Sequence, residues 1–425
     1  MNLRTVLNAF FAFTFVSASS AGHAFDWRGS LSSELIFYPE SSVGVNNWRV
    51  SSSLGAEVEL TQDLTDNISL TVTPYARLDQ RDQDRTRLEL REFLFTGSGD
   101  SWEFNAGLGT VFWGVTESEN PVDIINQTDS IEDLDDDEKL GQLMLNFNWF
   151  SDYGDFLAYA LPRFKNRTFT GVEGRPFPGI SVNSALTSFE SSRGDENVDF
   201  ALRWAYSFDA WDVGLHYFNG TSRDPVLIPV VVDTTPFLAP RYQLLRQIGV
   251  DAQGLYGDLA IKAEIVRQSG DELDTHIELV TGIEYTLVGL LSGLQDNEII
   301  PEAWCLPDSG NLLKKLACND RIDLGLVIEY LWDERADNST QPFQNDLLAG
   351  LRFAFNDAAT SDALIGAIQD FDGGATSLSV EASTRLFESY RLSLLARGIF
   401  NSDGDTFLNG FENENFFQLG LSYFF

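Results

Sequence analysis

The residues best able to do chemistry in this sequence are charged, and they fall in separate groups. An acidic run, Glu132, Asp133, Asp135, Asp136, Asp137 and Glu138, ends a segment that opens at Trp113-Gly114 and passes Asn120-Pro121-Val122-Asp123. Arginines recur at Arg49, Arg77, Arg85, Arg87 and Arg91, and again at Arg385, Arg391 and Arg397. Between them lie the acids Asp258, Glu264, Asp274, Glu278, Glu284, Asp323 and Glu329. None of these sets has the spacing of a catalytic or metal centre. Apart from His23, the histidines are His216 and His276; Asp274 shares a face with His276, but alternating polar strands give such neighbours by chance, and a triad needs its Ser or Asp at a defined depth. Cys305 and Cys318 without a nearby His do not complete a zinc site. Asn401, Asp403, Asp405 and Glu412 have EF-hand-like offsets, but Thr406 stands where that loop requires Gly, so a polar turn is the simpler reading. No catalytic residue, metal or cofactor is expected. What opposed charges can do is create a field. A basic wall facing an acidic one across a narrow aqueous space orients hydrated solutes and penalises apolar ones.

Such walls need elements that turn alternate residues to opposite sides, and the sequence is rich in them. Trp48, Val50, Ser52, Leu54, Ala56, Val58 and Leu60 make one apolar face, opposed by Arg49, Ser51, Ser53, Gly55, Glu57 and Glu59. Ile68-Leu70-Val72-Pro74-Ala76-Leu78, Trp211-Val213-Leu215-Tyr217 and Ile322-Leu324-Leu326-Ile328-Tyr330 repeat the pattern. Glu92 and Arg246 fall on apolar faces and call for a bulge or a place near an interface. The weakest strand is expected at 363–369. Hydrophobic content of 43% and charged content of 22% would suit a soluble protein, but 33 Phe, 12 Tyr and 9 Trp would not. A membrane β-barrel reconciles them, because only alternate residues meet lipid.

The ends agree. Arg4, the apolar run 6–16 and the small residues of Gly22-His23-Ala24 read as a secretory signal over 1–24, the run being shorter than the about 20 residues of a spanning helix. The last segment alternates Phe417, Leu419, Leu421, Tyr423 and Phe425 with Phe416, Gln418, Gly420, Ser422 and Phe424. It resembles the C-terminal insertion signal of Gram-negative outer-membrane barrels, with Tyr423 and Phe425 as its marks. The segment from Trp113-Gly114 to Asn120-Pro121 and Asp123 is similar to one in uncharacterised porin-like proteins. At this loop the chain also resembles general porins, whose third extracellular loop folds into the lumen. The resemblance implies an all-β, transmembrane antiparallel barrel over 25–425, integral to the bacterial outer membrane, with an inward-folded third loop. The alternation gives about 18 strands, with about 16 as the alternative.

On that frame the constriction loop comprises Trp113, Gly114, Asn120, Pro121, Asp123, Asp135, Asp136 and Asp137, and both charged walls face inward. A register shift of one residue would turn any wall outward. Short connections near 61–67, 97–101, 151–154, 209–210 and 387–389 are expected in the periplasm. Long ones at 113–138, 163–197, 219–240 and 401–415 are expected outside. The stretch 288–320 is long where a short turn belongs, and its Cys305 and Cys318 are expected to form a disulfide in an oxidising periplasm. The function expected is a channel for passive diffusion and ion transport of small hydrophilic solutes. The rivals are an adhesin or structural barrel with a blocked lumen, and an exporter of an anionic polymer guided by the arginines. A carrier of apolar substrates lacks an inward apolar ladder. Expected partners are outer-membrane lipid, lipopolysaccharide, the barrel-assembly machinery and the solutes, with a homotrimer implied by resemblance. A net charge of −36 excludes nucleic acid.

Overall fold

The computed structural model describes residues 25–42, 47–132, 138–177, 179–289, 322–339, 341–405 and 408–425. Residues 1–24, read from the sequence as a secretory signal, and Cys305, Cys318, Asp133, Asp135, Asp136 and Asp137 lie outside the described residues.

An 18-stranded antiparallel sheet closes on itself. We number its strands β1 (Phe25–Phe37), β2 (Val50–Thr65), β3 (Ile68–Asp79), β4 (Arg87–Gly99), β5 (Trp102–Gly109), β6 (Gln142–Ser151), β7 (Gly154–Leu161), β8 (Asp199–Phe208) and β9 (Trp211–Thr221). They continue as β10 (Leu244–Tyr256), β11 (Leu259–Ser269), β12 (His276–Leu287), β13 (Asp323–Asp333), β14 (Asn345–Ala354), β15 (Asp362–Asp370), β16 (Thr376–Leu386), β17 (Tyr390–Phe400) and β18 (Phe416–Phe424). Each pairs with its sequence neighbour, and β1 pairs with β18 so that no edge remains. Tyr423 and Phe425 sit on this closing seam: Gly29 N–H donates to the Phe425 carbonyl at 3.0 Å, and Trp27 packs on the Phe425 ring. The weak strand at 363–369 is β15.

The alternation places apolar side chains on the outside of the barrel, the reverse of a water-soluble fold. Leu54 is 61% exposed and Leu202 57%, while the polar Gln247 and Glu264 inside are fully buried. Only lipid makes that arrangement favourable, and among sheets only a closed barrel leaves no backbone group unpaired in lipid. At the short-turn end, Trp149 stacks on Phe156, Trp204 on Tyr206, and Tyr390 lies against Tyr423. This is the aromatic girdle of a membrane rim. Of the two alternatives at Glu92, a bulge is the one present: the β3–β4 register shifts between Thr73 and Pro74, whose partners are Glu92 and Leu90. It turns Glu92 inward, where Thr73 Oγ1 donates to it at 3.4 Å. Arg246 stays outward at the long-loop end, 3.8 Å from Asp271.

The interior is not wholly polar. Met144, Tyr159, Leu161, Phe218, Leu245 and Val266 point in from β6 to β11 and bury Trp113, Val122, Ile124 and Ile125 of the third loop. Burying each such side chain is worth about 1.5–3 kcal/mol. Periodicity on single strands hid this, because the loop that covers these residues supplies half of the contact. A smaller cluster, Val280, Val327, Leu331 and Leu348, is packed by Phe343 and Ile368.

Candidate functional site: the third loop and the lumen

The third loop, 110–141, is built to lie inside the barrel. Its ends are tied by Asn126, whose side-chain amide donates to the Gly109 and Leu140 carbonyls at 3.0 and 2.8 Å. Trp113 packs on His216 and Tyr159, with the Arg203 guanidinium 5.1 Å from its ring. Gly114 lies against the Asn120 side chain, where a Cβ would collide with its Oδ1, which accounts for the Trp-Gly and Asn-Pro spacing. Asp123 accepts from the Trp113 N–H at 3.1 Å and pairs with Lys139 at 3.2 Å.

Two wall acids hold the loop tip. Glu264 on β11 accepts from the Val115 and Thr116 backbone N–H groups at 2.6 and 3.1 Å and from Thr116 Oγ1 at 2.9 Å. Glu329 on β13 accepts from Glu117 N–H, Ser118 N–H and Ser118 Oγ at 2.7–3.1 Å. Gln247 on β10 donates to the Pro121 carbonyl at 3.1 Å. The returning limb reaches the opposite wall. Glu132 pairs with Arg77 and Arg87, both at 2.5 Å, and Asp129 takes Arg87 through both oxygens.

Every arginine of the β3–β4 group faces inward, and each already has carboxylate partners. Arg77 and Arg85 also meet Glu34, Arg85 meets Asp79, and Arg91 meets Glu57 at 2.7 Å while lying 3.7 Å over the Tyr75 ring. Arg391 lies 3.7 Å from Asp362 and Arg397 3.4 Å from Glu381. Arg385 is exposed near the short-turn end of β16, and Arg49 precedes β2 and donates to Ser41 Oγ at 3.4 Å. Glu34 and Glu132 thus link Arg77, Arg85 and Arg87 into one network, while Glu57 takes Arg91. On the other side, Glu278 meets Arg335 at 2.6 Å, and Glu284 meets Lys262 and Arg352. Asp323 begins β13 and accepts from Gly289 N–H at 2.7 Å. Two residues differ from expectation: Asp258 lies in the β10–β11 turn and Asp274 in the β11–β12 loop, both exposed, because the strands stop short of them.

His216 is packed between Trp113 and Gln247, with its Nε2 2.9 Å from the amide nitrogen. His276, Glu278 and Asp333 bring ligand-type atoms within 4.8 Å of one another, and the guanidinium of Arg335 lies 2.6 Å from both carboxylates. That arginine is the cation of the group.

The mouth is crossed by the fourth loop, 162–198, a feature without periodicity to betray it. From its root between β7 and β8 it meets the fifth loop through Arg167 and Asp224 at 2.7 Å, and the third through Thr168 and Asp129 at 2.7 Å. It then reaches the far side, where Arg175 is fully buried. Arg175 pairs with Glu414 at 2.7 Å, donates to the Glu40, Trp48 and Asn413 carbonyls, and lies 4.0 Å over Tyr38. Gly174 passes against Asp82 of the second loop.

Burial pushes the Asp82 carboxyl up, helped by Asp84 and Asp79, and its Oδ2 has no hydrogen-bond partner. A carboxyl raised on folding contributes stability below its unfolded pKa that is lost as pH rises through the folded value. Asp82→Asn should therefore flatten the pH profile. Its unfolding midpoint, relative to the parent, is expected to improve from about pH 3 to about pH 7. An unchanged difference would remove Asp82 as a source of pH dependence.

A closed barrel of 18 antiparallel strands, apolar outside and polar within, with an inward third loop, defines an integral outer-membrane protein of porin-like architecture. No protein-family model matches the chain, and no curated protein matches it. Solved structures do align with it. OmpT of Vibrio cholerae in trimer form is 11% identical, with a TM-score of 0.43, covering 95% of this chain and 100% of that one. A mutant of the Rh. blastica porin is 13% identical, with a TM-score of 0.42 and the same coverage.

Proposed function

We propose that the chain is a passive channel for small hydrophilic solutes, selecting by size and by the ion pairs beside the third loop, with no chemical step. The observation that carries this reading is the unequal exposure of the lumen. Where the third loop lies, Glu264 and Glu329 are at most 1% exposed. On the uncovered side the Arg391, Glu381, Arg352 and Arg91 side chains are 55%, 45%, 38% and 34% exposed. A solute path past Glu117–Arg352, Glu57–Arg91 and Glu381–Arg397 follows. The test is single-channel conductance of the refolded barrel with the reversal potential in a salt gradient. Stable conductance supports a channel, and silence from a demonstrably folded barrel sinks it. Arg91→Gln leaves Glu57 uncompensated beside the path and Glu89 with Arg87 alone, so it should move the reversal potential toward cation selectivity. An unmoved potential would place the path elsewhere.

A surface-binding barrel with a blocked lumen is the second reading, favoured by the fourth loop across the mouth. It predicts silence in the same measurement. The anionic-polymer exporter has weaker support, because Arg77, Arg85 and Arg87 are already engaged by Glu34, Asp129 and Glu132.

A further inference from the structure

One wall of the lumen is hollowed where the barrel closes. Gly55 lies on the inward face of β2, with Ser32 of β1 and Arg77 of β3 as its register partners. A Cβ there would collide with Ser32 Oγ and lie 3.6 Å from the Tyr75 hydroxyl, so the missing side chain leaves a floor. Around it opens a recess of about 220 Å³, walled by β1–β4, by Gln418 of β18 and by the returning limb of the third loop. Drug-sized ligands fill about 300–1,000 Å³, so this recess suits a single small ring. It opens beside Glu57 and Arg91, whose side chains are both 34% exposed, on the solute path described above.

Two kinds of group line the recess. The charged ones are engaged with each other: Arg77 holds Glu34 at 2.6 Å and Glu132 at 2.5 Å, and Arg91 holds Glu57 at 2.7 Å. The neutral ones are not. Tyr75 is 5% exposed, yet among the described residues its hydroxyl makes no hydrogen bond, and neither do the Ser30 and Ser32 hydroxyls or the Gln418 side-chain amide. Buried polar side chains normally have partners. Here four groups that both donate and accept face one space. An anion is turned away, because four carboxylates, Glu138 included, face two arginines on the lining. A cation finds Glu34, Glu57 and Glu132 already held by arginine. An apolar solute would strip the neutral groups of water and give nothing back. What fits is a compact neutral molecule with hydroxyls on adjacent carbons. A hydroxyl accepts from an amide or guanidinium and donates to a carboxylate, so neighbouring ones can bridge Arg91 and Glu57 without breaking the pair.

We propose that this recess binds one ring of a neutral sugar through Tyr75, Gln418, Ser30 and Ser32. The inference rests on the channel reading only in that a sugar on the path would pause there. The test is calorimetric titration of the refolded full-length barrel with glucose, galactose, mannose and xylose, with glucuronate and glucosamine as charged counterparts. Saturable binding of at least one neutral sugar is expected. Tyr75→Phe should weaken it about three- to tenfold, because it removes one hydrogen-bonding hydroxyl and keeps the ring under Arg91. Gln418→Ala should act in the same direction. Gly55→Leu, with folding checked by circular dichroism, should abolish binding by filling the floor. Absence of binding by all four neutral sugars overturns the assignment, and so does binding that survives both Tyr75→Phe and Gln418→Ala unchanged. Tighter binding of glucuronate or glucosamine than of every neutral sugar overturns it too, since the recess would then select charge. The readout is independent of conduction. A barrel that conducts but binds no sugar refutes the recess alone, and one that binds sugar yet stays silent refutes the channel alone.

Discussion

Replacing Glu264 and Glu329 together by alanine is expected to raise the single-channel conductance severalfold and make the current noisier. The two carboxylates hold the loop tip through the N–H groups of Val115, Thr116, Glu117 and Ser118. Each buried N–H left without a partner costs about 1–3 kcal/mol, so the tip gains by leaving the wall and finding water. The loop root should stay, because Trp113, Ile124 and Ile125 remain buried against β6–β11. The change is therefore a loosened tip, not an unfolded barrel, and circular dichroism should be unaltered. Conductance equal to that of the parent would mean that the tip does not bound the path. A fall would mean that the freed tip swings into it.

Arg175→Met is expected to release the fourth loop. The substitution leaves Glu414, 2% exposed, buried without its partner, together with the carbonyls of Glu40, Trp48 and Asn413. Breaking a buried pair on one side costs about 3–5 kcal/mol. The strand ladder is untouched, so the cost appears as local opening, and about 3 kcal/mol corresponds to about a hundredfold more open loop. Limited trypsin digestion reads this at Arg163, Lys165 and Arg167, which lie at the loop root. Adding Glu414→Gln should recover part of the protection, because the stranded charge is removed. Cleavage at the parent's rate would show that Arg175 does not fasten the loop.

The barrel was legible because lipid enforces a strict period: Leu324, Leu326 and Ile328 outward and Gly325, Val327 and Glu329 inward follow from one rule. The same rule placed Arg77, Arg87 and Glu264 inside, and the break at Glu92 announced its bulge. It did not say what each charge would meet. Glu34 has the same parity as its neighbours and could have been found as the partner of Arg77. Arg175 could not, since a loop residue without period gives no direction, and its partners are three backbone carbonyls and a distant acid. The strand ends were equally hidden: Asp258 and Asp274 keep the inward parity but lie beyond the last ladder pairs.

The Arg175 clasp also bears on assembly. It gathers Glu40 from near the start of the barrel, Glu414 from near its finish and an arginine from between them. Such a group cannot exist until β1 has met β18 and all three loops have come together at one end of the barrel. In a barrel stalled with its seam open, Arg175 and Glu414 would each remain in water, and the fourth loop would stay as cleavable as in Arg175→Met. Protease resistance of that loop therefore dates the last step of biogenesis, distinguishing a chain whose strands are laid down from one whose barrel is sealed.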